Sequence, residues 1–102
     1  MATLRGCVHE SYLRADSVLN RTYQAALAAI RADEGLPALV RAEWERDLRA
    51  AQRAWVAYKD GECAGLGEAA YSANGAGELV ARCLIQKTRA RTAELRHYYG
   101  AR

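Results

Sequence analysis

The chain has no phenylalanine, a single proline (Pro37) and few β-branched residues. Sheets draw heavily on β-branched and aromatic side chains, so this supply argues against one. No C-x-x-C element occurs among the three cysteines, Cys7, Cys63 and Cys83. That removes the common zinc patterns, and neither a metal nor a cofactor is expected. No apolar run approaches the ~20 residues needed to cross a bilayer. The first six residues lack the apolar stretch of a signal peptide, which leaves a cytosolic protein and a processed, exported one both open. A basic tract is missing too. The net charge is +3, acids interleave with the arginines along the chain, and nucleic acid is not an expected partner.

What is present is helical spacing. A chain of 102 residues, 51% hydrophobic and 26% charged, is the size and composition of one globular domain, here residues 1–102. After an irregular lead-in over residues 1–10, Tyr12, Ala15, Leu19, Thr22, Tyr23, Ala26, Leu27 and Ile30 fall on one face of a first helix. Gly35 suits its C-terminal cap, and Pro37 suits the first turn of a second helix. That helix is expected to run from about Pro37 to Gly61 or slightly beyond. Trp44, Leu48, Ala51, Trp55 and Tyr58 form its packing stripe, with Gln52, Arg53 and Asp60 at the border. Residues 64–77, rich in Gly and Ala, read as a connection with a short turn around Glu68 to Tyr71. A third helix starts near Glu78 and ends at Gly100, with Leu79, Val80, Cys83, Leu84, Thr88, Arg91, Leu95 and Tyr98 inward. Short connections make neighbours antiparallel. The predicted fold is therefore all-α: a three-helix, antiparallel, up-down-up bundle.

That topology brings Cys7, Cys63 and Cys83 to one end, where any two could be bridged. At this point the residues resemble a known family. Asp16-x-x-Leu19-Asn20-x-x-Tyr23, then Ala51-Gln52-Arg53-Ala54-Trp55-x-x-Tyr58-x-Asp60-x-x-Cys63, then Cys83-Leu84 with Thr88-x-x-x-Thr92-x-x-Leu95, are similar to the LprI-type lysozyme-inhibitor domain. The resemblance covers about Cys7 to Leu95, although the fourth cysteine common in that family is absent. It implies a bacterial, non-enzymatic, periplasmic or secreted protein with a protein partner in the style of lysozyme. It also implies a Cys63–Cys83 disulfide at one end of the bundle, leaving Cys7 over. A covalent clip across the Gly/Ala-rich connection would be useful there, because that segment has little apolar bulk to pin it.

No nucleophile–base pair is visible, so no catalytic residue is assigned. His9 and His97 lie near the ends and read as surface residues. Levelling the helices on their cysteines puts Asp16, Arg53 and Arg91 in one layer, an acid between two arginines. With Asn20, Gln52 and Asp60 they form a predicted structural network, in which Asp60 takes Lys87. Lysozymes are strongly basic and this chain is itself positive, so an inhibitor would need a local acidic patch. Glu62, Glu68 and Glu78, near the cysteine end, are the candidates for that partner contact. The alternatives are an envelope-associated domain that binds an anionic glycan or lipid headgroup, and an immunity-type partner of a periplasmic toxin.

Overall fold

A computed structural model describes residues 4–70 and 75–100, with side chains from Val8 onward. Three helices make up the described chain: α1 (Leu4–Ala32), α2 (Ala38–Ala69) and α3 (Ala76–Tyr99). They form an elongated body of 54 × 28 × 16 Å. The pairing of α1 with α3 is the most extensive and that of α1 with α2 the least. The core follows the spacing of apolar residues in α1. Leu19, Ala26, Leu27 and Ile30 are buried and close on Leu48 of α2 and Leu95 of α3, with Tyr23, Trp44, Trp55 and Tyr99 packed around them. Most of this core lies toward the α1–α2 turn. There Asp33 accepts a hydrogen bond from the Gly35 N–H at 3.0 Å, and Arg41 donates to the Asp33 carbonyl at 3.1 Å.

Five boundary features differ from the sequence reading. Helix α1 starts at Leu4, so Cys7 sits in a helix and not on an irregular lead-in. Gly35 has no positive φ and is not a left-handed cap; Asp33 closes the turn instead. Pro37, with φ −58° and ψ 149°, precedes the first residue of α2 and does not occupy its first turn. Helix α2 continues through Gly61, Gly65 and Gly67 to Ala69, and α3 begins at Ala76, two residues early. Glycine costs a helix only about 1 kcal/mol relative to alanine, so packing can override it. At Gly67 the packing is visible. A Cβ there would lie 2.6 Å from Cγ2 of Val80, so this glycine lets the end of α2 approach α3 closely. The rest of the expected connection, residues 71–74 with Tyr71 and Asn74, lies outside the described residues. The third helix ends as expected, on Gly100 in a left-handed conformation (φ 64°).

The α2 stripe is rotated from its predicted position. Its buried residues are Leu48, Gln52, Lys59 and Cys63, whereas Ala51 and Tyr58 are exposed. On α3, Thr92 is buried, and Leu79 and Tyr98 are exposed. Tyr99 packs in place of Tyr98, its ring 5.6 Å from that of Trp44.

Candidate functional site

Where α2 and α3 run together, a disulfide joins Cys63 to Cys83, with Cα atoms 5.6 Å apart. One turn along from it, Lys87 of α3 reaches across to α2. Its ammonium donates to Tyr58 Oη at 2.8 Å and to Glu62 Oε1 at 2.9 Å, and it sits 4.5 Å from the centre of the Tyr58 ring. The hydrogen bonds to Tyr58 and Glu62 raise the Lys87 pKa, and the bond from Lys87 lowers that of Glu62. Tyr58 is 53% exposed, so its ring serves the surface and not the core. Leu66 and Leu79, also exposed, line a shallow cleft of about 210 Å³ with Glu62 and Lys87, floored by Cys83. The result is a continuous aromatic, apolar and charged seam on two covalently joined helices.

A buried cation lies on the α1 side of α2. Lys59 is only 5% exposed. Its Nζ donates to Tyr12 Oη at 3.1 Å, lies 3.4 Å from Asp60 Oδ1 and rests between the Tyr12 and Trp55 rings, at 5.5 and 5.1 Å. Burial opposes the charge more than any other single effect. The Tyr12 phenol and the Asp60 carboxylate together outweigh it, and the pKa is raised. This group holds α1 to α2 where their contact is otherwise sparse.

The predicted polar layer separates into distinct groups. Arg91 donates from Nε to Gln52 Oε1 at 2.9 Å and from Nη1 to Glu94 at 3.4 Å, while its buried Nη2 has no hydrogen-bond partner among the described residues. Asp16 instead accepts a long 3.4 Å bond from Asn20 on its own helix. No lysine or arginine of the described residues pairs with Asp16, and Arg53 is exposed. Asp60 meets Lys59 and not Lys87, which Glu62 takes. Tyr12 meets Lys59 and Gln52 meets Arg91, contacts that the levelling on the cysteines did not name. A shared level is not enough for a pair, because two residues at one height meet only if their helices turn them toward each other. The expected Asp16–arginine and Asp60–Lys87 pairs are therefore replaced by Asp16–Asn20 and Lys87–Glu62.

Among the described residues, no group of His, Cys, Asp and Glu could hold a metal ion. Both histidines are exposed. None of the described polar clusters pairs a nucleophile with a base; what the α2–α3 seam offers is surface for binding.

Residues 1–95 match the family described as Lysozyme inhibitor LprI. The chain belongs to this family. It is also 39% identical over 93 residues to Uncharacterized protein R02472 of Rhizobium meliloti (strain 1021), a match covering 88% of this chain and 67% of that protein. No solved structure matches. The LprI family is one of inhibitors and not of catalysts, in keeping with a protein partner at the level of the family. No helix described here is long and apolar enough to cross a membrane.

For an LprI-family chain the three candidate acids are unequal. Glu62 is bound to Lys87, and Glu78 is held by Arg82 at 2.7 Å. Glu68 is exposed, without an ion-pair partner among the described residues. The seam is thus less acidic than the sequence suggested, and its exposed aromatic and aliphatic groups stand out more. Sequence reasoning missed Lys59 and the Lys87–Tyr58–Glu62 cluster. Lys59 recurs at helical spacing with Leu48, Gln52 and Cys63 on the buried face of α2, but a lysine is rarely placed inside from spacing alone, and the partner that holds it, Tyr12, is distant in the chain.

Proposed function

We propose that this chain acts outside the cytoplasm as a protein that binds a lysozyme and occludes its cleft, with no turnover of its own. The family supports the inhibitor class. The α2–α3 seam is the observation that supports the surface: Tyr58, Leu66 and Leu79 are exposed beside the Lys87–Glu62 pair. Binding energy at protein interfaces concentrates in a few aromatic and aliphatic anchors. Anchors on helices clipped by Cys63–Cys83 are ordered in advance, so less freedom is lost on docking. The Lys87–Glu62 pair is at the surface, where an ion pair stabilises little. Glu62 can therefore exchange Lys87 for a cation of a basic partner, with Glu68 nearby to add attraction.

The test is lysozyme turnover on bacterial cell walls, using lysozymes of more than one class. Added protein should lower turnover. Tyr58→Ala with Leu79→Ser should relieve that inhibition by about tenfold or more in affinity, as for the loss of interface anchors. The urea midpoint should scarcely move, since both side chains are exposed. Undiminished turnover at large molar excess would reject the reading.

A further inference from the structure

The α1–α3 face carries a second surface, chemically unlike the seam. Two cavities of about 530 and 310 Å³ lie along it and share Ser11 and Arg89, so they form one groove. Its walls are arginines: Arg82, Arg89 and Arg96 from α3, and Arg14 from α1. Along α3 these recur every seven residues, which returns them to one face at ~10.5 Å intervals. Arg21, exposed and seven residues beyond Arg14, extends the α1 row. Glu78 neutralises Arg82, and Arg14 donates to Ser11 at 3.1 Å. Arg14, Arg89 and Arg96 have no carboxylate partner among the described residues. A chain of net charge +3 thus gathers a comparable excess along one groove.

We propose that this groove binds a linear anionic polysaccharide, its carboxylate, sulfate or phosphate groups meeting the arginine rows. Regular spacing of unpaired guanidinium groups suits a ligand whose charge also repeats along a line, and arginine forks match such oxyanions. The floor selects among polyanions. Among the described residues no aromatic ring lines the groove, so bases of single-stranded nucleic acid would find nothing there to stack on. Its larger apolar lining residues are Val8, Val18 and Ile85, all buried or half-buried, and among the described residues none of the large exposed apolar side chains reaches it. An amphipathic helix or a membrane surface would need such anchors. Ser11 and Gln86 instead offer polar contacts suited to hydroxyl groups. This site does not rest on the inhibitor reading; it uses α1 and α3 where the seam uses α2 and α3, Arg82 and Gln86 border both, and Arg14, Arg89 and Arg96 belong to the groove.

The test is fluorescence anisotropy with labelled oligogalacturonate of about ten sugars, at salt between about 50 and 200 mM. The wild-type protein should bind, and affinity should fall steeply as salt rises. Arg89→Gln with Arg96→Gln should lose about tenfold or more in affinity, as for two charge-assisted contacts. Arg46→Gln with Arg53→Gln, at a separate shallow site on α2, should bind as wild type does. The Arg89/Arg96 variant should keep the wild-type urea midpoint and unchanged action on lysozyme. Absence of binding at the lowest salt would overturn the proposal. So would equal affinity of the Arg89/Arg96 variant, or equally tight binding of an acidic helical peptide, anionic vesicles or a DNA oligonucleotide of matched charge.

Discussion

The two ends of this bundle are held by different means. Toward the α1–α2 turn, stability comes from shape: Leu27, Ile30, Leu48 and Leu95 interlock, Trp44 lies against Tyr99, and Glu45 ties Arg31 of α1 to Arg49 of its own helix. At the cysteine end the apolar supply thins. Among the described residues Val8 and the half-cystines are its buried apolar groups, joined by a buried ammonium on two aromatic rings. Helices of three turns or more need an apolar face to cover, and where the chain offers glycine and alanine, a covalent bond and polar contacts take over. The comparison teaches that a small domain can divide its stability between a packed half and a stapled half. The stapled half is the one that presents the proposed binding seam.

The sharpest break should come in the packed half. Leu95 is fully buried, and Leu95→Ala should lose about 2–5 kcal/mol in urea melts, from transfer and cavity together. A loss below about 1 kcal/mol would mean that the packed half does not carry the fold. The staple comes next. Replacing Cys63 and Cys83 by Ser should cost roughly 3 kcal/mol in the chain-entropy picture for a separation of 20 residues. Hydrogen exchange should then quicken around residues 60–69 and 76–87 before it does around Leu27. Uniform quickening would erase the distinction between the halves. Gly67→Ala should have a smaller effect, about 1 kcal/mol of net destabilisation, because overlap with the stiff Val80 side chain exceeds the gain in helix propensity. Adding Val80→Ala should remove the penalty specific to Gly67→Ala in a double-mutant cycle.

The smallest effect is one of acidity. Hydrogen bonds from Arg31 and then Arg49 lower the Glu45 pKa from its ordinary 4.5 to about 2. A depressed carboxylate adds stability that is complete above the unfolded value and is lost as the pH falls through the folded one. Wild type should therefore exceed Glu45→Gln in stability above about pH 4.5 and converge with it near pH 2. Parallel curves over that range would show that Glu45 does not link the helices in solution.

How far the sequence spoke depended on whether a residue's place was decided locally. The α1 stripe was legible because each apolar side chain is buried by the same face. The helical topology and the Cys63–Cys83 pair were legible from spacing and resemblance. Lys59 was not, since its burial depends on Tyr12, which is distant in the chain and contributes both a ring and a hydroxyl. Gln52 was set at the border for the same reason, its partner being Arg91. Gly65 and Gly67 looked like a break, because local propensity does not register that the end of α2 passes close to Val80 at Gly67. The arginine rows were present in the sequence as a seven-residue recurrence, but reading for contiguous basic tracts passed over them.

The Cys63–Cys83 bond has a consequence beyond holding two helices together. It makes the segment between those residues a covalent ring. A protease that cuts once inside the ring opens a strand without freeing either piece. After a cut between α2 and α3, the segment with α1 and α2 stays tethered to the segment that carries α3. Outside the cytoplasm, where the bond stays oxidised and proteases are met, such a nick would produce a two-fragment protein that still presents Tyr58 and Lys87 together. Loss of the seam would then require a second event, reduction of the bond.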